Sequence, residues 1–299
     1  MDRQMLLLAP WSGPYGGVPP FDSVKVEDFK PALLEGIERN RAEIAAIATH
    51  PAPPTFDNTI AALEDAGRAL GRASTVYGVY SSTMNDKAMQ GVETEMAPVL
   101  AAFSDEVIHD AALFARVKTV YDARETSGLT PEQQRLVWVV TRNFVRHGAA
   151  LASEDKARLA AINQRLAALH TVFGQNVLAD EEDHWLTLDS ETDLAGLSEH
   201  QCQSAAAAAE AKGLKGKWVI ANTRSDMEPF LTAARRRDLR EKAFRLWTMR
   251  GDGGTHDNRA IIGEILALRA EKAKLLGFPT FAHWATDDQM AKTPDAAMA

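Results

Sequence analysis

The chain has 299 residues, a formal net charge of −8 and a pI near 5.5, so it lacks the basic surface that a nucleic-acid-binding protein needs. Its hydrophobic content of 45% and charged content of 25% are those of a soluble globular protein that can bury a sizeable core. The sequence has no apolar run near the roughly 18 residues of a membrane span. A single cysteine, Cys202, excludes a disulfide framework. We therefore expect a cytoplasmic protein of about two domains, with no nucleic-acid or membrane partner.

The first part of the chain predicts an arm followed by helices. Residues 1–25 are rich in proline, glycine and aromatic residues without a period, which favours an extended arm. From Phe29, apolar residues recur at helical spacing and predict a first helix that ends at a proline-rich connector. A second helix, capped by Asp57 or Asn58, carries small residues such as Gly67 on its apolar stripe. That stripe indicates a close approach between helices.

Three further helices follow. Apolar residues from Met89 to Val107 form a third stripe, which Pro98 is expected to kink or split. A short helix covers 113–120. The run from Thr130 to Gln133 combines a threonine cap, a proline at the first helical position and a glutamine that completes a capping box. Ser153 is expected to cap another long helix.

Two short segments depart from the helical pattern. Trp185–Leu188 and Trp218–Ile220 are rich in aromatic and branched residues and predict two strands that pair as a small ribbon. An alanine-rich helix is expected between them, from about 198 to 211, and a capping box at Ser225 precedes a helix from Asp238. The predicted fold class is therefore mainly α, with one small two-stranded β element.

The last helix is the best defined by the sequence. Asp257 or Thr255 can cap its start, Gly277 suits a left-handed end, and only Lys272 interrupts its apolar stripe. A further helix start at Thr293 is followed by only six residues, too few for a helix that is stable alone. We expect from this that the chain is a piece of a longer protein.

Eight runs spread over nearly the whole chain carry a resemblance. They are LLLAPWSGPYGGVPPFDSV, PTFDNTIAALEDAG, LTPEQQRLVW, FGQNVLADEEDHWLTL, DLAGL, KGKWVIANTRSDMEPFL, HDNRAIIGEILALRAEKAKLLGFP and DQMAKTP. In number and order these runs resemble the oligopeptidase family of zinc metallopeptidases, and within it the bacterial peptidyl-dipeptidases. No single run is a catalytic motif.

The resemblance implies an almost wholly helical body of the oligopeptidase type, in which this portion forms one wall of a deep, narrow cleft. It implies an arm over residues 1–25, a helical N-terminal domain over 26–180, and the start of the peptidase body over 181–299, truncated before the zinc-binding motif. The implied full-length enzyme uses zinc to release dipeptides from the C-termini of short peptides. Its implied partners are those peptides and the missing C-terminal catalytic portion.

The family's zinc motif, His-Glu-x-x-His, places two histidines on one helical face at a spacing of four residues. None of the histidines of this chain has another histidine four residues away. We therefore assign no catalytic residue and no metal ligand, we expect the chain alone to bind no zinc, and the substrate-binding residues are unknown. The histidines are His50, His109, His147, His170, His184, His200, His256 and His283.

Two clusters of acidic and histidine residues are further candidates for a metal-binding or acid–base site. His256-Asp257-Asn258, with Glu264 and Glu271, could bind a metal or act as acid and base, but the spacing favours a polar helix start capped by Asp257. The second cluster, from Glu181 to His184, could bind a cation, but four adjacent residues favour a solvated turn before a strand.

Three other features have both a functional and a structural interpretation. Arg235-Arg236-Arg237 with Arg240 could bind a phosphate or a peptide carboxylate, or form a helix face compensated by Glu228, Asp238 and Glu241. Gly251-Asp252-Gly253-Gly254 lacks the lysine of a phosphate loop and is interpreted as a linker. Tyr77 and Tyr80 fit a cleft or a core. Cys202 could be a nucleophile beside His200, but is interpreted as a small buried hydrophobe or a bystander.

Two hypotheses follow. In the first, the chain is the non-catalytic N-terminal half of a zinc peptidyl-dipeptidase, is inactive alone, and exposes apolar side chains around 280–299. In the second, it is a stand-alone helical binding or scaffold module whose surface is closed in that region.

Overall fold

The computed structural model describes residues 3–299, with side chains from Met5 onward. Most of this part of the chain is helical, which confirms the mainly α fold class. The α-helices in chain order are α1 (Arg3–Leu8), α2 (Val26–Ala48), α3 (Ala62–Asp65), α4 (Arg68–Thr83), α5 (Lys87–His109), α6 (Ala111–Ala123), α7 (Pro131–Arg146), α8 (Ser153–Asp183), α9 (Glu199–Ala211), α10 (Arg224–Ala233), α11 (Arg237–Thr248), α12 (Arg259–Leu275), α13 (Phe281–Thr286) and α14 (Pro294–Met298).

The predicted β element is present. Strands β1 (Trp185–Leu188) and β2 (Trp218–Ala221) pair antiparallel, with Leu186 opposite Ile220. They form a two-stranded ribbon, and the predicted alanine-rich helix, α9, lies between them in sequence. Across residues 3–299, no helix is both long and apolar enough to cross a lipid bilayer.

The helices and the ribbon divide into two compact units. The first comprises the chain up to Ala168 together with Leu266–Ala299, and the second comprises Leu169–Ile265. The domain boundaries predicted from the sequence, after residues 25 and 180, refer to domains of a larger protein and stay a prediction.

The first unit is built around α2, whose apolar residues recur every three or four positions. Phe29, Leu33 and Ile37 are buried in one cluster with α1, α4 and α5, because their spacing places them on one helical face. The rings of Phe29 and Tyr80 pack in an edge-to-face arrangement, with 4.9 Å between their centroids. Further along α2, Ile44 is buried in a second cluster with α6 and α7.

A close helix approach does occur between α2 and α4, but at Gly36 of α2, a residue that the sequence analysis did not single out. A Cβ atom added to Gly36 would lie 3.1 Å from the Cα of Leu70, so a larger residue at 36 would require the α2 and α4 backbones to move apart by a few tenths of an ångström. Gly67, by contrast, does not continue the predicted second helix. It lies at φ 76° between α3 and α4, a left-handed conformation that glycine adopts at little cost.

The second unit buries the ribbon against its helices. Leu188 and Val219 are fully buried from the two strands, and Met227 and Phe230 of α10 are buried with Ala243 of α11. Ser198 caps α9 by accepting a hydrogen bond from the backbone N–H of Gln201, as a capping box requires. The unit therefore has its own apolar core.

Several helix boundaries match the sequence and others correct it. The Thr130 capping box and the left-handed Gly277 are confirmed. The predicted cap at Asp57 or Asn58 is wrong, because the Thr55 side chain accepts from the backbone N–H of Asn58 and the helix begins as a π-helical turn. The capping box at Ser225 is wrong as well, since that residue lies inside α10, which follows Thr223.

Two proline- and glycine-based predictions are also corrected. Helix α5 runs from Lys87 to His109 through Pro98, so a split at this proline is wrong, while a kink there stays a prediction. One proline removes only one intrahelical hydrogen bond, and buried Met96 and Phe103 hold the helix on both sides. The arm is not wholly extended, because α1 lies within it and Leu7 and Leu8 are buried in the core of the first unit.

We expect Gly36→Ala to lower the free energy of unfolding by about 1–3 kcal/mol, because the added methyl group forces the α2 and α4 backbones apart. The matched control is Gly71→Ala, a helical position where no atom lies within 4 Å of the added Cβ. The control should raise stability by about 0.5–1 kcal/mol through helix propensity alone. Urea unfolding followed by far-ultraviolet circular dichroism measures both, and equal effects of the two variants would contradict the close approach.

Candidate functional site

In the second unit, the C-terminal end of α8 and the glycine-rich loop after α11 come together. The Asp180 carboxylate accepts a hydrogen bond from the backbone N–H of Gly251 at 2.7 Å, and Arg250 pairs with Glu181. The His256 Nε2 atom lies 3.1 Å from Asp183 Oδ2. The acidic cluster and the histidine cluster, which sequence reasoning treated separately, thus form one polar assembly, which we call the α8–loop clasp (residues 180–184 and 250–258).

Asn258 is the buried centre of this clasp. It is 1% exposed, its side-chain N–H donates to the Phe173 carbonyl at 3.1 Å, and its Oδ1 accepts from Asn176 at 2.9 Å. The loop is tightened around it, because the Asn258 backbone N–H donates to the Gly251 carbonyl at 2.8 Å. Gly251 has φ 69°, and a Cβ there would lie 2.7 Å from the Asn258 amide nitrogen, so only glycine fits.

The charges of the clasp are set by burial and by local partners. Burial lowers the pKa of Arg250, although the nearby Asp180 opposes that shift. At the start of α12, hydrogen bonds from Arg259 hold the pKa of Asp257 at about 2. Asp257 accepts from the Arg259 backbone N–H at 2.9 Å, which agrees with its interpretation as a polar helix-start residue. The predicted turn at Glu181–His184 is instead the last turn of α8 and the residue after it.

A cavity of about 470 Å³ adjoins the clasp. Its lining includes Asp180, His184, Asn222, Arg250 and Thr255. Asn222 is 1% exposed, and its Oδ1 atom has no hydrogen-bond partner within the described chain. The cavity offers polar donors and acceptors that suit ordered water or a small polar group. These residues hold the loop, and they form no pairing of a nucleophile with a base.

Glu264 and Glu271 were two further members of the predicted His256 cluster. Glu271 belongs to the first unit, where it pairs with Arg158 at 2.6 Å, whereas His256 pairs within the second. Glu264 lies within α12. The structure therefore gives no assembly of His256 with these two glutamates.

The arginine run is compensated, but by partly different residues than predicted. Arg236 pairs with Asp238 at 2.7 Å and with Asp193 at 2.8 Å. The predicted partners Glu228 and Glu241 instead pair with other arginines, Arg224 and Arg245. Arg235 and Arg236 precede α11, whereas Arg237 and Arg240 belong to it, so the run is only partly a helix face. Arg240 donates a hydrogen bond to the Ala234 carbonyl.

The aromatic and thiol candidates are structural. Tyr80 is 8% exposed and donates its hydroxyl to the Phe21 carbonyl at 3.2 Å, which confirms a core position. Burial raises the pKa of Tyr77 to about 12. Cys202 is a free, partly exposed thiol, so of its two predicted structural roles the buried hydrophobe is wrong and the bystander stays a prediction. His200 lines a separate cavity beside α9.

No group of three or more His, Cys, Asp or Glu side chains converges as metal donors among residues 3–299. A zinc site needs three or four such donors. The described residues therefore do not fit a zinc ion, and no chemical step is assigned to one here.

One buried series of hydrogen-bonded polar side chains in the first unit was not predicted from the sequence. Asp105 is 7% exposed and accepts from Asn163 at 2.7 Å, and Asn163 in turn accepts from the Lys272 ammonium at 2.7 Å. Burial raises the pKa of Asp105 and lowers that of Lys272. The signal that could have found it was Lys272 itself, the one charge within the apolar stripe of α12.

Comparison with known proteins identifies the class. Residues 230–299 match the model described as "Peptidase family M3". Over 94% of its length the chain is 41% identical to the dipeptidyl carboxypeptidase of Salmonella typhimurium and 40% identical to that of Escherichia coli. It is 30% identical to oligopeptidase A of Salmonella typhimurium, also over 94% of its length. Residues 230–299 therefore match peptidase family M3, and nearly the whole chain is similar to proteins named dipeptidyl carboxypeptidase and oligopeptidase A.

The chain matches only part of these relatives. It spans 41% of the length of each dipeptidyl carboxypeptidase and 42% of that of oligopeptidase A. The activity that a relative's name describes therefore belongs to a polypeptide more than twice as long as the part that matches this chain.

We expect Asp180→Ala to lower the free energy of unfolding by about 1–3 kcal/mol, because it leaves the buried Gly251 N–H without its acceptor. The matched control is Asp183→Ala, whose side chain is 64% exposed and whose loss should cost less than about 1 kcal/mol. Chemical denaturation measures both changes. Hydrogen exchange at the Gly251 amide should accelerate only in Asp180→Ala, and unchanged exchange there would contradict the clasp.

A pH-dependent prediction concerns Asp105. The folded protein binds this proton more tightly than the unfolded chain, so the stability that it contributes is present below the ordinary value of 3.8 and is lost as the pH rises through the raised folded pKa. Asp105→Asn removes this loss. The stability of the variant relative to the parent should therefore increase as the pH rises through that window. Urea midpoints at several pH values test it, with Asp122→Asn on the surface of α6 as control, and a flat or falling difference would contradict it.

Proposed function

We propose that this chain is the N-terminal, non-catalytic part of a cytoplasmic, zinc-dependent dipeptidyl carboxypeptidase of family M3, which releases dipeptides from the C-termini of short peptides. The observation that carries the proposal is the identity of 41% and 40% to two proteins named dipeptidyl carboxypeptidase, against 30% to an oligopeptidase A over the same share of this chain. The dipeptide-releasing members of the family are therefore the better guide to its activity.

Within that enzyme, we assign this chain to one wall of the substrate cleft. A rigid helical body suits the role, because a wall must keep its shape while a peptide is held against it. The metal donors are assigned to the part of the relatives' length that this chain does not span, because residues 3–299 provide no set of them. Zinc, when bound there, supplies an activated water.

Each unit exposes large apolar side chains, as the proposal of a further contacting polypeptide requires. In the first unit, Met290 and Met298 are fully or almost fully exposed, and both fall in the region predicted to face the missing portion. In the second, Phe244 and Met249 are more than half exposed near the end of α11. Such side chains favour a protein contact when they are grouped.

The test compares two proteins on one substrate, a short peptide blocked at its N-terminus. One protein is the 299-residue chain with added zinc, and the other is the longer product of the same reading frame that the proposal requires, carrying a His-Glu-x-x-His motif. We expect the longer protein to release C-terminal dipeptides, detected by mass spectrometry, and to stop when a chelator removes the metal. The chain alone should release none.

Two controls make the result specific. Replacement of the motif's glutamate by glutamine in the longer protein should abolish release, since that residue is the general base of such a site. Cleavage at internal bonds without dipeptide release would instead indicate an oligopeptidase. Dipeptide release by the 299-residue chain alone would refute its non-catalytic role.

A further inference from the structure

A second polar assembly lies in the first unit, where residues 284–292 are held against α7. Arg142 donates from one nitrogen to both the backbone carbonyl and the carboxylate of Asp287, each at 2.6 Å. Arg146 donates to the Asp288 carboxylate at 2.6 Å and to the Trp284 carbonyl at 2.7 Å. These contacts fix the segment after α13 on the surface of α7.

A cavity of about 320 Å³ lies between this segment and α7. Its lining contains four cationic side chains and a single carboxylate, that of Asp288. In a chain with a net charge of −8, this is a local reversal of sign. The lining residues are Arg135, Trp138, Val139, Arg142, Asn143, Arg146, Asp288 and Lys292.

Two of the four cations are not neutralised. Neither Arg135 nor Lys292 has an ion-pair partner in the part of the chain that the structure describes, whereas Arg142 and Arg146 are paired. The guanidinium of Arg135 lies over the Trp138 ring, 4.2 Å from its centroid, and Arg142 lies 4.8 Å from the same centroid. Stacking on the ring holds the Arg135 guanidinium in place without neutralising its charge.

The backbone at Lys292 gives a second, independent indication. Its φ is 64°, in the left-handed region that a non-glycine residue occupies only at a cost in free energy. Strained backbone of this kind concentrates at ligand-binding sites. Here it lies on the residue that contributes an unpaired ammonium to the cavity.

We propose that this cavity binds an oxyanion, a carboxylate or a phosphate group, between Arg135 and Lys292. Guanidinium groups match the planar geometry of such anions, and hydrogen bonds from a charged donor are stronger than those from a neutral one. Trp138 and Val139 provide an apolar surface for the group that carries the anion. The proposal concerns the first unit alone and does not depend on the peptidase function.

The test is isothermal titration calorimetry of the 299-residue protein with two probes. One is inorganic phosphate, and the other is N-acetyl-phenylalanyl-glycine, whose free carboxylate adjoins an aromatic group, with its C-terminal amide as the uncharged control. Binding of either anionic probe, but not of the amide, is the expected result, and the tighter probe identifies the source of the anion. Added salt should weaken the binding, since exposed charges are screened.

Substitutions assign the binding to this cavity. Arg135→Gln keeps the helix propensity of α7, and Lys292→Gly removes the charge while relieving the positive φ, so neither change should unfold the protein. Each should weaken binding by about 3- to 10-fold, the effect of losing one charge-assisted contact. Lys274→Gln removes an exposed positive charge from α12 outside the cavity and should leave binding unchanged.

Thermal unfolding of every variant shows whether it is folded. Two outcomes would overturn the proposal. One is that neither probe binds the folded protein at concentrations up to about 10 mM, beyond which binding is too weak to be specific. The other is that Lys274→Gln weakens binding as much as Arg135→Gln and Lys292→Gly do, because the effect would then come from net charge and not from this cavity.

Discussion

The burial of α2 is the constraint on which the first unit depends. This single helix of 23 residues supplies Phe29, Leu33 and Ile37 to one apolar cluster, and Ile44 and Ile47 to another. Burying one such side chain contributes about 1.5–3 kcal/mol relative to exposing it. Helices α1, α4 and α5 pack on the first half of α2, and α6 and α7 pack beyond it. Val137, Val140 and Phe144 of α7 are buried with α2 in the second cluster. That contact positions α7, and with it the residues of α7 that line the cationic cavity.

A different kind of contact shapes the second unit. Its apolar core holds the ribbon and the helices around it, but the loop after α11 is held by polar groups. Asn258 and Asp180, both nearly buried, satisfy backbone groups of the loop and of α8. A buried polar network of this type tolerates little change, because removing one partner leaves another buried group unsatisfied. The glycines of the loop follow from this, since Gly251 is pressed against the Asn258 side chain.

The sequence predicted most of the fold because most of it is decided locally. Apolar periodicity found α2 and α6, and the two aromatic-rich segments predicted the ribbon, since these signals lie within one element. Predictions failed where packing overrode a local rule. Pro98 did not break α5, because buried neighbours on both sides stabilise the helix, and Gly67 ended a helix that its neighbours' periodicity would have continued.

The polar assemblies were less accessible from the sequence. His256 was weighed with Glu264 and Glu271, its neighbours along α12, but its partner is Asp183, 73 positions away. Arg146 and Asp288 are 142 positions apart. No periodicity links such residues, because their proximity is a product of the tertiary fold. The only local sequence signal of a polar assembly was Lys272, a charged residue within the apolar stripe of α12.

The net charge of the chain gives the cationic cavity its significance. A protein with a charge of −8 repels small anions at long range, and at physiological ionic strength this repulsion is screened beyond about 8 Å. Anion binding must then be achieved locally, by unpaired cations held within a few ångströms of each other. Arg135 and Lys292 line one cavity and have no ion-pair partner in the described part of the chain, while the paired Arg142 and Arg146 hold the segment in place.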